Sequence, residues 1–138
     1  MTLDASPSFE SLHHAMKRGD TLHIAHYLES GGDANLSDSS GSTLLMLAAQ
    51  EGQTPIINLL LEHGADINAH SVHGYTELSL AAFRGHTGVI EHLLERGAHV
   101  PGEVAGMSLI GLLHHYGAAR DRVLDVLQRA TTRGSNEA

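Results

Sequence analysis

Residues 41–69 read GSTLLMLAAQEGQTPIINLLLEHGADINA and contain two short helical patterns, each followed by a glycine. The first pattern covers residues 43–51 and carries Ala48 and Ala49, a small pair that lets a neighbouring helix approach closely. Gly52 follows it, and glycine adopts the left-handed conformation of a helix end at little energetic cost. These features predict a short helix that packs tightly against another helix.

The second pattern begins with Thr54 and Pro55. Thr54 is predicted to be the N-cap of a second helix, with Pro55 as its first residue, where a missing N–H costs nothing. Ile57, Leu60 and Leu61 follow at helical spacing and form an apolar face. The whole stretch therefore predicts a pair of helices whose apolar faces need further elements to cover them.

The pattern returns 33 residues later. An ungapped alignment of residues 38–70 with residues 71–103 gives fourteen identities in 33 positions, and they fall where a helix begins, ends or packs. One repeat cannot bury its apolar face alone, so successive repeats must stack. The pattern extends in both directions with lower fidelity. Four repeats are predicted, over residues 5–37, 38–70, 71–103 and 104–132, in a single domain of residues 1–132 with a flexible tail at 133–138.

Two segments, residues 41–69 and 74–100, resemble the ankyrin-repeat family. The family's pattern is a Gly-x-Thr-Pro-Leu-His start, an Ala-Ala pair, Gly-His, an Ile-Val pair, a Leu-Leu pair and then Gly-Ala. The resemblance implies an all-α solenoid of paired antiparallel helices joined by hairpin-like loops. It also implies that a partner binds the concave side, which is formed by the first helix of each repeat and the hairpin tips.

The sequence departs from the family pattern at several positions. Leu44 and Glu77 stand where the family has Pro, and Met46 and Ser79 stand where it has His. We expect these changes to weaken the usual Thr–His hydrogen bonding at the start of each first helix. The dipeptide Pro101-Gly102 interrupts the family's ending and predicts an altered loop between the third and fourth repeats.

Composition restricts the function classes. Sixteen acidic residues against eight basic ones give a formal charge of −8, which disfavours general binding to nucleic acid or anionic lipid. The chain has no cysteine, which excludes disulfides, thiolate catalysis and Cys-based zinc sites. The first eleven residues contain Asp4 and Glu10 and no apolar run, so no secretory signal is predicted. The predicted location is cytoplasmic.

Aromatic residues indicate where a partner would bind. Four of the five, Phe9, Tyr75, Phe83 and Tyr116, fall on exposed first-helix or hairpin positions, whereas Tyr27 takes a core position. Aromatic residues and Arg dominate binding hot spots, so we predict that another protein binds there. The alternative is that Phe83 and Tyr116 only cover a gap between adjacent repeats. The predicted partner-binding residues are Phe9, Lys17, Arg18, Ser40, Ser42, Gln50, Glu51, His73, Tyr75, Phe83, Arg84, Met107, His115 and Tyr116.

Twelve histidines raise the alternative of a metal-binding protein or an enzyme. The pairs His23-x-x-His26 and His70-x-x-His73 each supply two ligands at most, whereas zinc needs three or four. No His-Glu-x-x-His motif occurs. No catalytic, cofactor-binding or metal-binding residue is therefore predicted, no cofactor is expected, and the chain is predicted not to be an enzyme.

The predicted function is that of a protein-binding module. Small free-standing proteins of the family include inhibitors, chaperones and immunity proteins, and the resemblance to them implies an inhibitor or immunity-type protein that neutralises a toxin or effector. An adaptor or scaffold protein is the alternative. The expected partner is another protein and not nucleic acid or a membrane, and the free protein is expected to be monomeric.

Overall fold

The computed structural model describes residues 8–104, 106–116 and 120–136, and the side chains of residues 115, 116, 120 and 130–136 lie outside that description. The helices are α1 (Phe9–Arg18), α2 (Thr21–Glu29), α3 (Leu44–Gln50), α4 (Thr54–Glu62), α5 (Glu77–Arg84), α6 (Thr87–Glu95), α7 (Leu109–Tyr116) and α8 (Arg120–Asn136). Two short strands, β1 (Glu103–Val104) and β2 (Met107–Ser108), pair in antiparallel fashion. The predicted all-α architecture of paired helices is confirmed.

The helices stack in two layers. The first helices pack in the order α1, α3, α5 and α7, while α2 packs on α4 and α6 packs on α8. One side chain per repeat shows the period: Ile24, Ile57, Ile90 and Val123 are spaced by 33 residues and are all fully buried. Each of them lies on the second helix of its pair and belongs to the same buried core cluster. The stack therefore has one continuous core, as a repeat solenoid requires.

Helix boundaries agree with the sequence prediction at one end of α3 and differ at the start of α4. Gly52 follows α3 with a φ of 71°, as predicted for a glycine after a helix. The prediction of Thr54 as the N-cap of α4 is wrong, because Thr54 is the first helical residue and Gln53 takes the cap position. The Gln53 carbonyl oxygen already accepts from the N–H groups of Ile56 and Ile57, at 3.1 and 3.0 Å, so the first turn begins one residue early.

Two further sequence predictions concern the ends of the chain and its aromatic core residue. Tyr27 is buried, as predicted, and its hydroxyl donates to the Asp33 carbonyl oxygen at 2.9 Å. Helix α8 continues to Asn136, and the flexible tail at residues 133–138 stays a prediction. The other repeat boundaries stay predictions, and the helix pairs up to α6 lie within them.

Polar side chains join successive repeats at the loops that follow the second helices. Asn35 donates through Nδ2 to the Gly64 carbonyl oxygen at 3.2 Å and accepts through Oδ1 from the Asp66 N–H at 2.7 Å. One repeat later, Asn68 accepts from the His99 N–H at 3.0 Å. These bonds hold the loops in register, so that the hairpins which follow them are presented at fixed positions.

Candidate protein-binding face

The surface of interest is the front face, defined here as helices α1, α3, α5 and α7 with the loops directly before the last three. The loop before α3, residues 38–43, is the second hairpin, and the loop before α5, residues 71–76, is the third hairpin. The loop before α7 contains β1 and β2, and it is the altered loop predicted from Pro101-Gly102. These elements contain the predicted partner-binding residues except Glu51, which directly follows α3.

An aspartate organises the second hairpin. Asp38 Oδ1 accepts from the Ser40 N–H at 2.9 Å, from the Ser40 hydroxyl at 2.7 Å and from the Ser42 N–H at 3.0 Å. Burial raises the pKa of Asp38, but the hydrogen bonds from Ser40 and Ser42 outweigh it and hold the pKa below its ordinary value. The two predicted binding residues Ser40 and Ser42 therefore shape the hairpin, and the Asp38 carboxylate that orients them was missed from the sequence.

The third hairpin is closed by its own backbone and tied to the second. The Ser71 N–H donates to the Tyr75 carbonyl oxygen at 2.9 Å, and the Tyr75 N–H donates to Ser71 Oγ at 3.1 Å. The Val72 N–H donates to the Ser40 carbonyl oxygen at 2.9 Å. A Cβ at Gly41 would lie 3.3 Å from the Ser71 backbone, so this close approach needs glycine. The hairpin projects Val72, with 73% of its surface exposed, and His73.

Cap geometry at the start of α5 differs from the sequence prediction. The Ser79 hydroxyl accepts from the Thr76 N–H at 2.9 Å, while Thr76 Oγ1 accepts from the Ser79 N–H at 3.1 Å. The Thr–His bond of the family is therefore absent at this helix start, and serine takes its place as a reciprocal partner of threonine, so the cap keeps two hydrogen bonds. In the second repeat Met46 has no polar side-chain atom, and Thr43 accepts only from the Met46 N–H.

The aromatic residues of the front face are less exposed than predicted. Tyr75 and Phe83 meet edge to face, with ring centroids 6.2 Å apart and ring planes at 69°. Both are half-buried and pack against the core, as does Phe9. Each ring therefore covers part of the core and leaves the rest of its surface open. The side chains of His115 and Tyr116, also predicted to bind, lie outside the described residues.

Charged groups at the ends of the first helices differ in how they are paired. His13 Nε2 lies 3.8 Å from Glu51 Oε1, and Arg18 lies 3.8 Å from Asp20. Within the described part of the chain, no ion pair engages Lys17 or Arg84, and both are exposed. Gln50 and Glu51 are half-buried. Two cations of an acidic protein thus remain available at this face.

Some exposed apolar residues were not among those predicted to bind. Ile110, on the first turn of α7, is exposed, as are Val72 and the predicted residue Met107. The fourth large exposed apolar side chain of the described residues, Leu22, lies on α2 in the other layer. The sequence signal that identifies Val72 is an apolar residue at a hairpin tip. The sequence does not identify Ile110 as exposed. Its equivalent in the third repeat, Leu78, is buried, and there a further repeat follows in the stack.

The described residues contain no group of three or more His, Asp or Glu side chains placed to hold a metal ion. His23 has a buried Nε2 without a hydrogen-bond partner, but it stands alone. None of the helices in the same part of the chain has the length and apolar character needed to cross a bilayer.

The geometry defines a solenoid of stacked helix pairs that presents aligned hairpins along one side. The family model for ankyrin repeats, with three copies, matches residues 12–102. The chain belongs to the ankyrin-repeat family. Ankyrin repeats indicate a protein–protein interaction module, and proteins built from them are generally not enzymes. A search of curated proteins found no match.

Proposed function

We propose that the chain binds another protein through its front face and acts as an inhibitor or immunity-type protein that neutralises a toxin or effector. The observation that supports this most strongly is the uneven distribution of exposed apolar surface. Among the described residues, the four large exposed apolar side chains include Val72 and Met107 on the hairpin loops of the front face and Ile110 on the first turn of α7, where the stack of first helices ends; the fourth is Leu22 on α2. The half-buried Tyr75–Phe83 pair belongs to the same third repeat as Val72.

The first two repeats offer a different kind of surface. Their front face carries the Asp38 hairpin with its serines, the His13–Glu51 contact and the Arg18–Asp20 ion pair. A partner would thus meet apolar anchors at one end and hydrogen-bonding groups at the other. Interfaces commonly combine a desolvated apolar centre with a polar rim, and Arg is frequent among the residues that dominate affinity. Arg84, exposed at the end of α5, is the charged anchor expected beside the apolar patch.

Rigid presentation also favours binding. The bond from the Val72 N–H to the Ser40 carbonyl oxygen and the asparagine bonds between loops order the hairpins before any partner arrives. An ordered surface loses less conformational entropy on association, so more of the contact energy contributes to affinity. Binding of this kind needs no catalytic group. Occupation of a partner's functional surface is sufficient to block it.

The partner is identified by capture from the native source with the parent chain and with a Phe83→Ala/Arg84→Ala variant. The parent should retain one protein that the folded variant loses. A partner retained equally by both would place binding elsewhere and overturn the assignment of the front face. Circular dichroism of the variant confirms that it is folded.

The inhibitor role is separated from the adaptor role by assaying the captured partner. An inhibitor abolishes the partner's activity at one chain per partner, whereas an adaptor leaves the activity intact and binds a second protein at the same time. The Phe83→Ala/Arg84→Ala variant is the control in this assay. Full partner activity at saturating parent chain would contradict the inhibitor proposal.

A further inference from the structure

A carboxyl group is buried at the start of α5. Glu77 is the first residue of α5, and only 1% of its surface is exposed. The first residues of the neighbouring helices α3 and α7 are Leu44 and Leu109, which are also buried. α5 packs between these two helices. Glu77 thus occupies a position that the adjacent repeats fill with leucine.

The Glu77 carboxyl is poorly compensated at this position. Its Oε2 atom is buried and has no hydrogen-bond partner among the described residues. Burial raises the pKa of Glu77 to about 8, the backbone N–H of Glu77 itself opposes that rise, and the Asp66 carboxylate adds to it. A buried carboxylate without a partner is costly, and this cost exceeds the favourable effect of a helix N-terminus on an anion. The neutral acid is therefore the form that fits the interface.

The charged groups around Glu77 do not offset its ionisation. The elements packed on α5 are α3, α6 and α7. α3 contains no titratable side chain, and in the described part of the chain no ion pair joins Glu77 to a cation. Asp66, in the loop after α4, is the charged group that acts on Glu77, and it has the same sign. The other titratable groups on the surrounding helices, the third hairpin and the loop after α4 are His63, His70, His73, Tyr75, Arg84, Glu91, His92, Glu95, His114, His115 and Tyr116, of which His115 and Tyr116 have side chains outside the described residues.

Glu77 is directly connected to the third hairpin. The preceding residue, Thr76, exchanges hydrogen bonds with Ser79, and Tyr75 is bonded to Ser71 across the hairpin. Because Glu77 is almost fully buried, we expect its side chain to reach water only with a shift of the first turn of α5. Such a shift would strain the Thr76–Ser79 pair, which is formed by residues on either side of Glu77.

We propose that Glu77 is a protonation-controlled latch on the third hairpin. The neutral carboxyl stays between α3 and α7 and holds residues 71–76 in place. On ionisation it releases one proton to solvent, leaves the interface for water and frees the hairpin. Because the hairpin carries Val72 and Tyr75, partner affinity falls as Glu77 ionises. This last consequence rests on the proposed function, whereas the latch itself does not.

The test is an NMR titration of the chain without a partner, from pH 4 to 9.5. It follows the Glu77 side-chain carboxyl carbon and the backbone amides of Tyr75, Thr76 and Ser79. The expected result is one shared midpoint near pH 8 for all four signals. Glu77→Gln and Glu77→Leu are the controls, and in both the amides should lose the transition near pH 8. Leucine is included because the neighbouring repeats already carry it at this position.

Two results would overturn the latch. One is a Glu77 midpoint near the ordinary glutamate value of 4.5. The other is that the hairpin amides do not titrate with the Glu77 carboxyl, or that they show the same transition in the Glu77→Leu variant. Partner affinity at pH 7 and pH 9 then separates the two proposals. If Glu77 and the hairpin amides titrate together but partner affinity is the same at pH 7 and pH 9, the latch is supported and the third hairpin is not part of the binding face.

Discussion

The backbone N–H of Val72 donates to the carbonyl oxygen of Ser40 at 2.9 Å, which joins the tips of two successive hairpins. The two residues lie in the hairpins of adjacent repeats, so this bond connects one repeat to the next. It fixes an exposed apolar side chain relative to a polar hairpin. The front face is therefore a single ordered surface, and its stability and its binding can be tested separately.

Gly52 is predicted to tolerate alanine poorly. Its φ of 71° is unfavourable for alanine, and a Cβ would lie 3.0 Å from the His86 ring, whose Nε2 is hydrogen-bonded to the Gln50 carbonyl oxygen. Gly52→Ala should lower the free energy of unfolding by about 1–3 kcal/mol, measured by urea denaturation. Gly88→Ala is the control, since Gly88 lies in α6 with nothing near its Cβ position, and it should raise stability by about 0.5–1 kcal/mol. Equal effects would show that neither the left-handed backbone nor the ring contact matters.

The two inter-repeat asparagines are predicted to contribute unequally. Asn35 makes two bonds to the next repeat, whereas Asn68 makes one. At about 0.5–1.5 kcal/mol per bond, Asn35→Ala should destabilise the protein more than Asn68→Ala. Urea denaturation of the two variants side by side measures the difference. A larger loss for Asn68→Ala would mean that solvent satisfies the Asn35 bonds equally well.

Glu77 is predicted to make the protein less stable as the pH rises. Its pKa of about 8 in the folded protein lies above the ordinary value of 4.5, so folding retains a proton that the unfolded chain loses. The stability that the protonated Glu77 contributes is fully present below pH 4.5. Between pH 4.5 and about pH 8 the free energy of unfolding falls by about 1.4 kcal/mol per pH unit. Glu77→Leu should remove that slope and be the more stable protein at pH 8, by urea denaturation at each pH. A parallel pH profile for both proteins would contradict the prediction.

Tyr75 and Phe83 are predicted to stabilise one another. Their edge-to-face contact should give a coupling energy of about 0.5–1.5 kcal/mol in a double-mutant cycle of the two alanine variants. Thermal or urea unfolding of the four proteins supplies the cycle. Additive losses would show that each ring packs on the core independently.

Much of the fold could be predicted from the sequence because its signals are local and repeated. The helix over residues 43–51, the glycine after it and the buried Tyr27 all follow from helical spacing and cap chemistry. The start of α4 was placed one residue late, because the Gln53 carbonyl oxygen opens the first turn without a side-chain cap. A helix start made by a backbone carbonyl alone cannot be predicted from the type of residue at that position.

The binding face was harder to predict, because burial there depends on neighbouring repeats. Phe83 has the residue type of a hot spot, yet its exposure is set by Tyr75 and by the core beneath it. Glu77 would be read as a surface glutamate from its sequence alone. Its burial becomes evident only when α3 and α7 are seen on either side of it.

The most direct measurement of the central claim compares two exposed aliphatic residues that differ in their place on the molecule. Val72 is 73% exposed on the front face, and Leu22 is 82% exposed on α2 in the other layer. Calorimetric titration of the captured partner should show affinity about tenfold weaker for Val72→Ala, because the apolar contact is lost, and unchanged affinity for Leu22→Ala. Weakening by Leu22→Ala, with Val72→Ala binding like the parent, would contradict the assignment of the front face as the binding surface.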